Sequence, residues 1–390
     1  MAFDEADRRA VASVATQFFV NGAVVASFIP RLPEIRDRVD VSTDVLGGLL
    51  TVAGVAGLVG SAVSSRLIER LGTRRTLIGG AIILLLGLPI IGFATVPVVL
   101  VIGLAIISAL DVIVDVSMNL QGSWLSARRH APIMNRLHGL WSLGTVVGGL
   151  VAAQVTSLGV SLQTHLLAVA VILAFTVAFV GSGLLRVDEH VGGPDDDPAA
   201  STISTRQWSM VALGVAGAFA VAVEVTSSDW AAFRLRDDFA TSAGFAGLGF
   251  VAFTVGMTAG RFGGDFGLQR LGPDRLALAS IAAAGAGLAA AAFVPNRFVV
   301  IAGYVIAGAG VATFFPRLYD EAAQHRGARG AGLAALTAGS RLASLAVPAI
   351  VGGLAATALS VGSATAIIVL PSVVGFAVLM LRPRRATPAP

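Results

Sequence analysis

Twelve apolar runs, each about as long as a bilayer is thick, dominate this sequence and leave it one kind of fold. A helix crosses the hydrocarbon core with roughly 20 predominantly apolar residues. Runs of that kind lie at 10–29, 45–64, 76–95, 97–119, 138–157, 164–185, 207–229, 243–263, 275–294, 298–316, 330–352 and 358–381. Lipid offers no partner to backbone N–H and C=O groups, so such runs must close their hydrogen bonds internally as helices. The expectation is an all-α membrane protein with twelve transmembrane helices. Composition agrees: 55% of residues are hydrophobic and only 13% are charged, against about 25% charged in soluble domains. The 46 glycines would let helix backbones approach closely, where packing drives association in lipid.

Charge gives the orientation. Every basic residue apart from histidine is arginine, and there is no lysine. Most arginines fall on one side of the runs, among them Arg66, Arg70, Arg74, Arg75, Arg128, Arg129, Arg261, Arg270, Arg275 and Arg317. The other side holds Arg31, Arg36, Arg38, Arg234, Arg236 and Arg297, and Arg341 alone lies near the middle of a run. The positive-inside rule then places both termini in the cytoplasm of a multi-pass inner-membrane protein. It also explains the basic balance without nucleic acid. The opening MAFDEADRR lacks a small-residue cleavage site, so the first helix is expected to be retained. There is no cysteine, which removes disulfides, thiolate metal sites and cysteine nucleophiles.

The chain divides in the middle. Segment 186–206, RVDEHVGGPDDDPAASTISTR, is acidic and rich in Gly and Pro and reads as a solvated cytoplasmic linker. It separates a six-helix half, 1–185, from a second, 207–390, that ends in a short basic cytoplasmic tail. The halves share a repeat. Gly60, Arg70, Leu71, Gly72 and Arg75 recur as Gly260, Arg270, Leu271, Gly272 and Arg275, each set following the second helix of its half.

The segment SRLIERLGTRR between the second and third helices resembles the G-x-x-x-D-R-x-G-R-[RK] signature of the major facilitator superfamily. Glu69 takes the acidic position, followed by Arg70, the turn Gly72 and the basic pair Arg74 and Arg75. Ser65 replaces the first glycine, Thr73 is an extra residue, and Gln269 stands at the acidic position of the second copy. NGAVVASFIPRLPEIRDR at 21–38, DVIVDVSMNLQG at 111–122, PIMNRLHGLWSLG at 132–144 and EVTSSDW at 224–230 are similar to a fucose-permease-like group of that superfamily, most of it uncharacterised. The resemblance implies two pseudo-symmetric six-helix halves around a central cavity lined by helices 1, 4, 7 and 10. It also implies a gating role for Glu69, Arg70, Gly72, Arg74, Arg75, Arg270 and Gly272, with topology-setting charge as the plainer reading. The fifth helix lacks the Gly-Pro pair of drug–proton antiporters.

An ionisable group at bilayer depth costs at least ~2.5–3.5 kcal/mol, so each one there needs a cavity or a partner. Asp111, Asp115 and Asn119 share one helical face at i, i+4, i+8. Asp111 is a candidate for substrate and proton; Asp115 and Asn119 are candidates for gating pairs with loop arginines such as Arg70 or Arg74. Glu224 is the deeper carboxyl of its helix and the other proton-coupling candidate, whereas Asp229 reads as a helix-end residue. Arg341 stays charged at any accessible pH and calls for a counter-charge, with Glu224 and Asp111 as the candidates. Gln17 and Asn21, one turn apart, offer amides that both donate and accept. The substrate set is thus Gln17, Asn21, Asp111, Glu224 and Arg341. Tyr304, Phe314 and Phe315 could stack on a sugar ring or simply pack the core.

No G-x-S-x-G elbow, H-E-x-x-H pair or phosphate-binding loop is present, so neither an enzyme nor an ATP-driven pump is expected, and no cofactor or metal. The expectation is a monomeric secondary transporter in contact with lipid, moving a small polar solute such as a sugar by alternating access, with a proton as coupling ion. An exporter of amphipathic compounds and a non-transporting sensor or scaffold stay open as alternatives.

Overall fold

The computed structural model describes residues 5–129, 133–186, 188, 209–323 and 331–381. Twelve helices among these residues are long and apolar enough to cross a membrane, and no strand occurs among them. Most of the expected linker, the loop that carries Arg326 and Arg329, and the basic tail lie outside the described residues.

The first half comprises α1 (Glu5–Phe28), a 3-10 turn Ile29–Arg31, the short α2 (Leu32–Val39), α3 (Thr43–Leu71), α4 (Thr73–Phe93), α5 (Pro97–Arg129), α6 (Met134–Ser157) and α7 (Leu162–Gly181). The second comprises α8 (Met210–Asp229), the short α9 (Ala231–Phe239), α10 (Ala243–Phe293), α11 (Arg297–Val311), α12 (Phe314–Ala323), α13 (Ala331–Ala355) and α14 (Val361–Met380). Helix α10 contains two spans, interrupted by the non-helical backbone of Gly272. One apolar core is built mainly from the first half around Val14, Phe18, Leu32, Leu88 and Leu166. The other belongs wholly to the second, around Leu213, Phe253, Ala307 and Leu336.

The repeat is visible in the backbone. Gly72 turns the chain with φ 79 and ψ 155, and Gly272 with φ 74 and ψ 167. Only glycine takes such angles without a Cβ penalty, which accounts for its recurrence at both sites. The register of 200 residues continues backwards. Helices α2 and α9 end on the left-handed residues Asp40 and Ala240, and each carries an Arg-Asp pair, Arg36-Asp37 and Arg236-Asp237.

The continuous helix expected over 298–316 is in fact two, α11 and α12, with a turn at 312–313. Pro316 is the cause. It has no N–H to donate, and its ring excludes the carbonyl four residues earlier, at Ala312. The aromatics here pack the core: Phe314 is buried and stacks on Phe376 with ring centroids 4.1 Å apart.

The halves meet along α3 with α13 and along α6 with α10. The α3–α13 seam joins the start of α3 to the end of α13. A Cβ on Gly47 would overlap the Pro348 carbonyl, and one on Gly352 would lie 3.1 Å from Gly47 Cα. Thr51 Oγ1 donates to the Leu345 carbonyl at 2.8 Å. This end of the molecule, which also carries α2 and α9, is called here the Arg36 face. The opposite end, which carries the Gly72 and Gly272 turns, is the Gly72 face.

Candidate functional site

The intramembrane polar groups lie on α1, α5, α6, α8, α10, α12 and α13, on both sides of the junction between the halves. In the first half, Asn21 on α1 donates through Nδ2 to Asp111 Oδ1 on α5 at 2.9 Å. The Asn21 side-chain oxygen accepts from Trp141 Nε1 on α6 at 2.9 Å. One amide thus uses both its donor and its acceptor to join three helices. Gln17 lies buried one turn below Asn21.

In the second half, Arg261 on α10 lies 3.8 Å from Glu224 on α8. Its guanidinium crosses to the first half. Nη1 donates to Ser142 Oγ at 2.9 Å, and the group sits over the Trp141 ring, 5.8 Å from its centroid. A chain of contacts therefore runs Glu224–Arg261–Trp141–Asn21–Asp111, spanning both halves. Two expectations are corrected. Arg261, counted with the arginines at the ends of the runs, lies well inside the helix that continues to the Gly272 break. The cation beside Glu224 is Arg261, not Arg341.

Arg341, on α13, has neither Glu224 nor Asp111 as an ion-pair partner among the described residues. Asp115 does not meet Arg70 or Arg74 among the described residues. Asn119 Nδ2 donates to its side chain at 2.9 Å, within the same helix. Asp229 closes the end of α8 and accepts from Ser228 Oγ at 2.8 Å. Tyr319 on α12 feels the charges of both Asp115 and Glu224. Sequence reasoning does not single it out, nor Arg261, Trp141 and Ser142 as site residues. The HGLWSLG segment held the signal for the last two.

The Gly72 turn is clamped, and of the charges of its motif Arg74 takes part. Glu69, Arg70 and Arg75 are exposed. Asp188, expected in a solvated linker, accepts from Thr73 N at 3.0 Å and from Thr73 Oγ1. It thereby satisfies one of the free N–H groups at the start of α4. Gln121 on α5 donates to Thr73 Oγ1 and exchanges two bonds with the Leu185 backbone. Arg74 Nε donates to the Gly181 carbonyl at 3.0 Å. At the second turn Arg270 lies over the Phe266 ring, 4.3 Å from its centroid.

At the other end, Arg36 of α2 reaches Asp237 of α9 through both terminal nitrogens, at 2.6 and 3.0 Å. Arg236 faces Asp37 at 4.0 Å. The four charges are repeat equivalents, exchanged between the halves.

Comparison with known proteins accords with this architecture. The chain is 27% identical over 305 residues to an uncharacterized MFS-type transporter of Yersinia pestis, covering 78% of each protein. The crystal structure of the nucleoside transporter NupG superimposes with a TM-score of 0.69 at 13% identity, over 97% of this chain and 100% of that one. A single-site variant of the E. coli fucose:proton symporter FucP gives 0.62 at 17% identity, over 96% and 98%. At these identities the two structures establish the fold alone. The sequence pattern of the Major Facilitator Superfamily matches residues 14–228, more than half of the chain. With twelve apolar helices among the described residues, in two repeated halves, the protein is a multi-pass membrane protein that belongs to the major facilitator superfamily.

Proposed function

We propose that the protein is a proton-coupled, alternating-access transporter of a small polar solute, a sugar or related metabolite. The observation that carries this reading is the contact chain from Glu224 to Asp111. It places two carboxyl groups, a guanidinium, an amide and an indole ring at the junction of the halves. Hydroxyl-rich solutes suit such a set, because carboxylates accept, guanidinium donates and amides do both. Gln17, Asn21, Asp111, Glu224 and Arg341 contact the solute, and Glu224 and Asp111 take up and release the proton. The even number of candidate spans among the described residues and the arginine bias support both termini in the cytoplasm of the inner membrane. Alternating access follows from rocking of the halves around this site. Asp115, Asn119 and the Gly72 and Gly272 turns, with Glu69, Arg70, Arg74, Arg75 and Arg270, serve the cytoplasmic gate, and the unit is a monomer. The neighbours in fold, a nucleoside transporter and a fucose:proton symporter, support a polar solute.

The test is proton movement in proteoliposomes with an imposed pH gradient, read by an internal pH dye against a panel of sugars and nucleosides. One or more solutes should carry protons with them. Glu224→Gln and Asp111→Asn should each abolish the proton flux while solute exchange at equal concentrations continues. Full proton-driven uptake in both variants would remove the coupling assignment.

A further inference from the structure

We infer that Arg261 is a positioning residue that transmits the protonation of Glu224 to the grip between the two halves; this rests on the proton-linked reading of Glu224 given above. The geometry shares Arg261 between two sets of partners. Its contact with Glu224 lies within the second half and is loose, at 3.8 Å, against ~2.7–2.9 Å for a closed charge-assisted bond. Its contact with Ser142 crosses to the first half and is closed, at 2.9 Å. Ser142 is buried, and its own hydroxyl proton is already given to the His138 carbonyl. What it presents to Arg261 is therefore a lone pair. The Trp141 ring offers the same guanidinium a second anchor on the first half.

Arginine keeps its charge throughout, so the state of Glu224 decides the balance. An ionised Glu224 draws the guanidinium back towards α8. When the carboxylate takes a proton from water and becomes a neutral acid, that pull vanishes and both remaining anchors lie on α6. The seam between α6 and α10 then tightens, and the positive charge moves towards the Trp141–Asn21–Asp111 array. The other charged and titratable groups facing this pair are Asp229 on α8, His138 on α6 and Tyr319 on α12. Asp111, Asp115 and Arg341 complete the surrounding charge. None of them bridges the halves as Arg261 does through Ser142.

The absence of cysteine permits a test that needs no knowledge of the solute. Cysteines at the exposed positions Leu150 on α6 and Val255 on α10 carry spin labels in the full-length protein in lipid nanodiscs. Their distance distribution should shorten between about pH 8 and about pH 5. Glu224→Gln should hold the short spacing at both values. Arg261→Ala should reduce the pH-linked change by roughly fivefold or more, and Arg261→Lys should recover part of it. If Arg261→Ala does not fold, as judged by size-exclusion profile, Ser142→Ala stands in and should also blunt the change. A full pH response in Arg261→Ala, in Ser142→Ala or in Glu224→Gln overturns the inference, as does a wild type whose spacing ignores pH. The proteoliposome assay fails separately: spacing that follows pH without solute-linked proton flux would leave this coupling standing and remove the transport reading.

Discussion

The two faces of the molecule are held by opposite means. At the Arg36 face the halves hold each other: Gly47 abuts Pro348 and Gly352, Thr51 bonds Leu345, and Arg36 clasps Asp237. At the Gly72 face the contacts described above tie each half to itself. Asp188 and Gln121 hold the Gly72 turn, Arg128 pairs with Asp7 at 2.7 Å, and Arg317 pairs with Glu321 and Asp274. Among the described residues, one face is thus closed by a seam, and the other carries clamps within each half. The work of opening is therefore unequal. To expose the site at the Arg36 face, a close-packed glycine seam and a set of exchanged charges must part. At the Gly72 face the same movement would leave the local clamps intact.

Breaking the seam should have the largest effect. Gly47→Leu forces a side chain into the Pro348 backbone, an overpacking of about 1–3 kcal/mol, or roughly 5- to 150-fold in the ratio of closed to open. Spin labels at the exposed Val45 and Leu359 should separate, and an unchanged distance would mean that the seam does not set closure. Asp188→Ala should act on the other kind of support. Loss of a helix cap costs about 0.5–2 kcal/mol, to be seen as a lower unfolding temperature in detergent without any change between the Val45 and Leu359 labels. Removing the exchanged charges should do least, since partly exposed pairs contribute about 0.2–1 kcal/mol. Arg36→Ala or Asp237→Ala should open the Arg36 face slightly, and Arg36→Asp combined with Asp237→Arg should restore it. The effect should fade in high salt; additivity of the two alanine variants would show that the pair is not coupled.

Much of this contrast was written in the sequence, though unevenly. The spans were legible because lipid enforces their length, and Gly72 and Gly272 were legible because a positive φ with an extended ψ is open to glycine without a Cβ penalty. Asn21 and Asp111 stood out as polar groups at bilayer depth, and they do meet. Arg261 was harder. It sits at the edge of the glycine-rich segment GRFGGDFG, where composition reads as a helix end, while the helix in fact runs on to Gly272. Asp188 was hidden for the reverse reason: a residue in an acidic, glycine-rich stretch gives no sign that it caps a distant helix. The Arg-Asp pairs of α2 and α9 could have been found by extending the 200-residue register backwards from Gly60 and Gly260. Their pairing across the halves could not, since it depends on how two bodies dock.

The exchanged charges have a consequence for the ancestry of the fold. Each corner carries both an arginine and an aspartate, and each arginine meets the aspartate of the other corner. Such a surface is its own complement, as in a two-fold homodimer. A six-helix chain bearing one corner would fasten to a second copy of itself with the same residues. Fusion into a single polypeptide would ask nothing new of the clasp, only that neither copy later lose its member of the set.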